Sequence, residues 1–531
     1  MITKLFKGEP TKRCVLILGL SIVAIFMHGY YFGVSDQEIF IPYILKSANP
    51  RLFPGDILFN QPSASASLFY PLVAFITRFL DLQTIFFVGY LTFQVLFFMA
   101  IYRLAYVLIK RQDLAIISLF PFLLPKFIGG TANYTYDTFF GYRSIGLIFL
   151  IFYLIYLFEK RYNKAATIAA IGIWFHPLSI IPNLLLLPAF VIATNKPEQR
   201  IKILLKALAI FALLLIPFFL ISKTNTFSNF SSAFDTSWLN IIKGRDNYLF
   251  VSTWTITGWA ALGIYLAPIA MFYKNIVKEH QQTLKLLILT SFAVFLFNAF
   301  TLEVIKTPAA AQFQLVRSIA PLAYIGLIMS VYFLSTKNHW HQALGLIAFI
   351  ALSFNAFVPF MVLTLLNAVS LAITGFNKPF PNISRIYIAT TLILAVFLYV
   401  LINNINLRKI GARIQYPKAN SDWIDVQKWT RVNTKQDSVF LVPPDQTGFR
   451  IFSQRPIVGD IKDGAIVIYS NNYAFYWASL MQNLESYDSF NDQEYINLGK
   501  LYNFNYVVIN SSNKLNFKLI YKNEKFSVYK I

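Results

Sequence analysis

Ser35-Asp36-Gln37-Glu38 places two carboxylates just beyond the first long apolar run of the chain. A carboxylate there can act as a base toward a hydroxyl, and two at i and i+2 share a side, and so a divalent cation, if the segment is extended. Asp56 follows in Leu52-Phe53-Pro54-Gly55-Asp56, and Asp137 lies in a stretch nearly free of charge, six residues before Arg143. Arg143 stands just inside an apolar run, where a guanidinium is costly unless it faces protein or water. It suits an anionic ligand or a pairing with Asp137. His176 precedes a proline between two apolar stretches, and Glu303, Lys306, Gln312, Gln314 and Arg317 form the densest polar group ahead of the C-terminal part. A guanidinium such as that of Arg317 matches phosphate geometry. Each has a plainer reading: Asp56 as a cap or turn, Asp137 as a helix N-cap, His176 as a structural residue, and Glu303 as a partner of Lys306 or Arg317.

These residues must be carried by helices in a bilayer. The chain of 531 residues is 56% hydrophobic and 13% charged, half the charge usual in soluble domains. Runs such as Cys14 to Phe32, Thr84 to Ile109 and Arg385 to Leu401 match the length needed to cross. The first follows a basic start and reads as a retained signal-anchor. A net charge of +22 fits Lys and Arg gathered in cytoplasmic loops better than a nucleic-acid partner. The single Cys14 excludes an intramolecular disulfide and any multi-cysteine zinc site.

With the N-terminus inside and basic residues as guide, about thirteen spans result. Residues 68–80 are expected to lie on the outer surface, and the stretch around His176-Pro177 to split into two short spans, because proline removes a backbone donor. The loops 33–67, 129–141, 222–253 and 302–317 then fall outside. So does everything after the last span, 386–403. Residues 1–414 form the membrane module and 415–531 a soluble α/β domain. In that domain Ser421 or Asp422 caps a helix to Val432, and short β-rich runs include Val439–Val442, Tyr506–Ile509 and a terminal hairpin over 517–531.

The chain resembles the GT-C superfamily of polytopic glycosyltransferases, and more narrowly a bacterial group of GT-C-like membrane proteins. The resemblance rests on Asp36-Gln37-Glu38 with Pro42, Leu52 to Asp56, Gly141-Tyr142-Arg143, His176-Pro177 and Gln312 to Arg317. In the tail it rests on Trp429 to Thr434, Pro443-Pro444, Gly448-Phe449-Arg450 and Ser453-Gln454-Arg455. This chain has Asp-Gln-Glu where other members carry Asp-x-Asp or a single acid. The resemblance implies a GT-C-like fold in a bacterial inner membrane with a periplasmic C-terminal domain. It implies sugar transfer from a polyprenyl-phosphate carrier to a glycan, lipid or protein acceptor. Asp36, Glu38 and Asp137 become the expected catalytic set and the ligands of a divalent cation such as Mg or Mn. Arg317, Arg143, His176, Glu303, Gln314 and Asp56 become the expected substrate contacts. The competing reading is a transporter or flippase of lipid-linked sugar, or a non-catalytic protein of envelope assembly; the absence of internal repeats weighs against transport.

Overall fold

The computed structural model describes residues 10–61, 67–222, 235–335, 339–374, 391–392, 394–396, 399, 413–416 and 421–531. Helices α1 (Pro10–His28), α2 (Gln37–Ala48), α3 (Phe69–Ile76), α4 (Leu82–Ile109) and α5 (Gln112–Ile117) come first. Next are α6 (Tyr142–Phe158), α7 (Tyr162–Phe175), the interrupted α8 (Pro177–Thr194), α9 (Pro197–Ser222) and α10 (Thr236–Arg245). The bundle continues with α11 (Ile256–Phe272), α12 (Lys278–Ala299), α13 (Pro308–Phe313), α14 (Ala320–Met329), α15 (His339–Ser353) and α16 (Phe357–Thr374). Among the described residues seven helical stretches are long and apolar enough to cross a membrane, and four shorter apolar helices accompany them. The architecture is that of a helical membrane protein with a small C-terminal sheet. The expected span 386–403 lies largely outside the described residues.

Local chemistry explains where these helices begin and end. Asp81 caps α4 by accepting from the Thr84 amide at 3.0 Å, and Lys110 ends it in a left-handed conformation. The break expected at His176-Pro177 is present: α7 stops at Phe175, His176 is extended, and Pro177 occupies the first helical position of α8. In the stretch 68–80, α3 has only eight residues, about 12 Å and far short of a bilayer.

The segment after α1 is helical where an extended loop would be needed to aim Asp36 and Glu38 together. Ser35 adopts φ 55° and Asp36 opens α2. Gln37, fully buried between the two acids, receives the Gly33 and Val34 amides and donates to the Phe140 carbonyl at 2.9 Å. The side chain between the carboxylates is therefore the one that anchors the turn. The region 222–253, expected as loop, contains α10, capped by Asp235.

The C-terminal part begins with α17 (Asp422–Asn433), capped by the Ser421 hydroxyl as its sequence suggests. Strands β1 (Phe440–Leu441), β2 (Tyr506–Asn510), β3 (Lys518–Lys522) and β4 (Phe526–Lys530) form one sheet in the order β1-β2-β4-β3. The β1–β2 pair is parallel; β2–β4 and the terminal hairpin are antiparallel. Alternation along β2 sends Val508 to a core with Val426, Phe440 and Phe449, and Val507 and Ile509 to a second core with Leu480 and Tyr529. The intervening helices are α18 (Phe449–Ser453), α19 (Asn471–Asn483) and α20 (Asp492–Tyr502).

This domain is fastened to the bundle through buried polar contacts. Arg450 on α18, 2% exposed, donates from Nε to Asp56 Oδ2 at 2.7 Å and from Nη2 to Asp56 Oδ1 at 3.0 Å. Its Nη1 and Nη2 also reach the Asp463 carboxylate at 2.8 and 2.9 Å. Trp238 donates to the Val467 carbonyl and Gln312 to the Ile468 carbonyl. Removing one member of a buried ion pair costs about 3–5 kcal/mol because a charge is left uncompensated. Arg450→Ala is expected to lower the thermal midpoint of the detergent-solubilised protein sharply, and adding Asp56→Asn with Asp463→Asn to recover part of it. An unchanged midpoint in Arg450→Ala would show that this triad does not hold the tail.

Candidate functional site

A cavity of about 900 Å³ lies between the helical bundle and the C-terminal domain. Four cationic side chains line it, Arg143, Arg245, Arg317 and Lys462, with three carboxylates, Asp36, Asp137 and Asp246. Its other end is apolar, walled by α7, α8 and α9 through Ile173, Leu178, Ile181, Phe211, Leu215 and Phe218. Of the membrane-length helices α9 is the least buried, with Ile201, Leu205, Leu208 and Leu213 turned outward. The apolar lobe is thus bounded by a helix at the edge of the bundle.

Each polar wall residue is held by its own element. Asp36 sits at the start of α2, aimed by the burial of Gln37, and its Oδ1 lies 2.8 Å from Lys462 Nζ. The loop carrying Asp137 is pinned by the Tyr136 hydroxyl to the Phe122 carbonyl and by the Tyr324 hydroxyl to the Thr135 carbonyl. Arg143, in the first turn of α6, pairs with Asp137 and donates to the Tyr134 carbonyl. Lys462 rides a tight turn over Ile461–Ile466, where Asp460 accepts the Lys462 and Asp463 amides at 2.9 and 3.1 Å. Arg245 ends α10, 3.6 Å from the Asp246 carboxylate.

Arg317 differs from the other three cations. It belongs to the tight turn Leu315–Ile319, fixed by buried Val316 and Ile319 and by the Ser318 hydroxyl donating to the Ser291 carbonyl. Its guanidinium faces the Tyr248 ring, 5.9 Å from the centroid. Trp254 supports Tyr248 by donating to its carbonyl at 3.0 Å, and packs so closely on Gly130 that a Cβ there would be 2.1 Å from the indole. Among the described residues no carboxylate pairs with Arg317, and its Nε is buried without a partner. Gln314 beside it, left-handed and 5% exposed, leaves its Oε1 equally unpartnered.

The carboxylates are tuned apart. Burial of the cavity pushes Asp36 upward, but Lys462 first, then Arg143 and Arg317, more than offset it and hold the acid below the ordinary carboxylate value. Asp36 is 54% exposed and lines the cavity. Burial raises Asp137, and Arg143 only partly offsets it. Burial likewise pushes Asp246 up to about 6, opposed by Arg245, Arg317 and Lys462.

Six of the residues expected from sequence line this one cavity: Asp36, Asp137, Arg143, His176, Gln314 and Arg317. His176 is buried at its edge, with Nδ1 2.7 Å from the Ser179 hydroxyl and its ring against Tyr142. Three others do not join. Glu38 is two residues into a helix from Asp36, which turns the two side chains apart; it packs beside Gly448. Asp56 is sequestered by Arg450 and also accepts the Ile457 amide. Glu303 lies in a helical turn over Phe300–Ile305 and accepts the Ser252 amide at 3.1 Å, away from the cavity. The donor set Asp36, Glu38 and Asp137 therefore does not fit a shared cation: one acid meets Lys462, one meets Arg143, and the third points elsewhere. Among the described residues no three His, Cys, Asp or Glu side chains gather as metal ligands.

The sequence reading did not select Lys462, Arg245, Asp246, Tyr248 or Tyr469. The adjacent charges Arg245-Asp246 in an outer segment were a usable signal; for Lys462 there was none, since its partner Asp36 is 426 positions away.

A family model described as a domain of unknown function, DUF6798, matches residues 421–478. That span holds Arg450, Lys462, Asp463 and Tyr469, the tail residues that reach the bundle and the cavity, and stops before β2. No curated protein matches the chain. Because Cys14 is the only native cysteine, the cavity geometry can be tested chemically. In a Cys14→Ser background, Asp36→Cys with Lys462→Cys is expected to be joined by a short bismaleimide, and Glu303→Cys with Lys462→Cys not. Mass spectrometry of the digest reads the linked peptides, and the opposite pattern would overturn this arrangement.

Proposed function

We propose that the protein is a GT-C-type membrane glycosyltransferase that moves a sugar from a polyprenyl-phosphate carrier to an acceptor hydroxyl. The observation that carries this reading is a cavity with one cation in excess, Arg317, joined to an apolar lobe at the edge of the bundle. A lipid monophosphate supplies both complements: an anion for the guanidinium and an isoprenoid chain for the lobe. In this reading the membrane module has about thirteen spans and the cavity opens on the periplasmic side of a bacterial inner membrane.

The chemistry then follows from the wall residues. The acceptor oxygen attacks the anomeric carbon, the carbon–oxygen bond to the carrier phosphate breaks, and the phosphate leaves with the electron pair. Arg317, with Gln314 beside it, receives the charge that develops on that phosphate. Asp36, held ionised by the cations around it, takes the acceptor proton. Arg143 and Asp137, paired to each other, shape the floor of the cavity, and Tyr142, Tyr248 and Tyr469 offer faces on which a sugar can stack. No step is assigned to a metal ion.

Two outcomes test this. The purified full-length protein is expected to bind undecaprenyl phosphate more tightly than undecaprenol, and Arg317→Ala to weaken the phosphate about 10–100-fold, the loss of a charge-assisted contact. Asp36→Asn is expected to fold, to bind undecaprenyl phosphate at least as tightly, and to lose sugar transfer from a panel of polyprenyl-phosphate hexoses and pentoses. Equal affinity for the alcohol and the phosphate, or wild-type transfer by Asp36→Asn, would defeat the proposal.

A further inference from the structure

The same cavity contains an obstacle to its chemistry: the carboxylate best placed as base is engaged by a lysine from another domain. Resting on the glycosyltransferase reading, we propose that Lys462 is a transferable phosphate ligand, seated on Asp36 until the carrier binds and then drawn onto the carrier phosphate, leaving Asp36 free for the acceptor.

Four observations converge on Lys462. Among the described residues it is the only cavity cation contributed by the C-terminal domain. The turn beneath it cannot yield, since Asp460 caps it and Asp463 is gripped by Arg450, so any movement belongs to the side chain. An ammonium on a four-carbon stem carries three donors that swing freely, unlike a guanidinium fork. Among the described residues only one of these is engaged, by Asp36 Oδ1 at 2.8 Å. The guanidinium of Arg143, by contrast, is committed on two sides, to Asp137 and to the Tyr134 carbonyl. A phosphate seated on Arg317 thus has in Lys462 a cavity cation able to re-aim. The exchange also suits the electrostatics: Asp36 feels Lys462, Arg143 and Arg317 together, and a phosphate draws the most mobile of the three.

A binding cycle with undecaprenyl phosphate as probe separates this from a fixed structural lysine. Four full-length proteins are compared in detergent: unsubstituted, Lys462→Ala, Asp36→Asn and the double variant, with thermal midpoints confirming the fold and Lys462→Arg as a charge-retaining control. Lys462→Ala is expected to weaken the probe about tenfold, and Lys462→Arg much less. Asp36→Asn is expected to tighten it, through both the released lysine and the lost repulsion. The gain from Asp36→Asn should therefore be larger when Lys462 is present than in the Lys462→Ala background. A lysine that merely screens Asp36 predicts the reverse, because the bare carboxylate then repels the phosphate more. An equal or larger gain without Lys462, or unchanged binding in Lys462→Ala, overturns the inference. If Arg317→Ala still weakens the probe in that event, the parent reading survives; if the unsubstituted protein does not bind it, both fall.

Discussion

One guanidinium, that of Arg450, decides how the two halves of this protein meet. It lies in full burial between Asp56, from the segment that follows α2, and Asp463, from the turn that carries Lys462. Desolvating such a group is expensive, and only complete hydrogen bonding in good geometry compensates for it. The arrangement tolerates no slippage: a shift of either segment breaks two paired contacts at once. Asp56 follows the helix that Asp36 opens, and Asp463 is the neighbour of Lys462. The register that Arg450 imposes is thereby transmitted to the contact between Asp36 and Lys462.

The cavity inherits an orderly charge plan from that register. Three acids are each matched by a cation, and Arg317 stands over an aromatic ring with no acid of its own. Such a plan limits repulsion within the cavity while keeping a demand for one more negative group. The apolar lobe beside it gives the demand a direction, toward the apolar, little-buried edge at α9.

Much of this was legible from residue order alone, and the failures share a cause. Hydrophobic run lengths located the long helices, the histidine–proline pair marked the break between α7 and α8, and β-branched runs marked β2 and β4. Asp36, Asp137, Arg143 and Arg317 stood out because charge at an apolar boundary is costly and so conspicuous, and they line one cavity. Glu38 is turned away from Asp36 because a two-residue spacing has no meaning until helix or strand is known, and burial of Gln37 chose helix. Asp56 looked like a ligand because its partner, Arg450, lies 394 positions further on. Glu303 had its nearest charged neighbours in sequence but answered to a backbone amide of residue 252. Periodicity carries no trace of such distant pairings.

Gly130 has a reach that its size conceals. The indole of Trp254 occupies the space where a side chain at position 130 would stand, and that indole also carries the Tyr248 carbonyl, whose own ring underlies Arg317. A single methyl group at 130 would displace the tryptophan, tilt the tyrosine, and leave the unpaired guanidinium without its platform. A side chain at this silent-looking glycine would therefore be felt by a residue nearly two hundred positions away, through a relay of two rings.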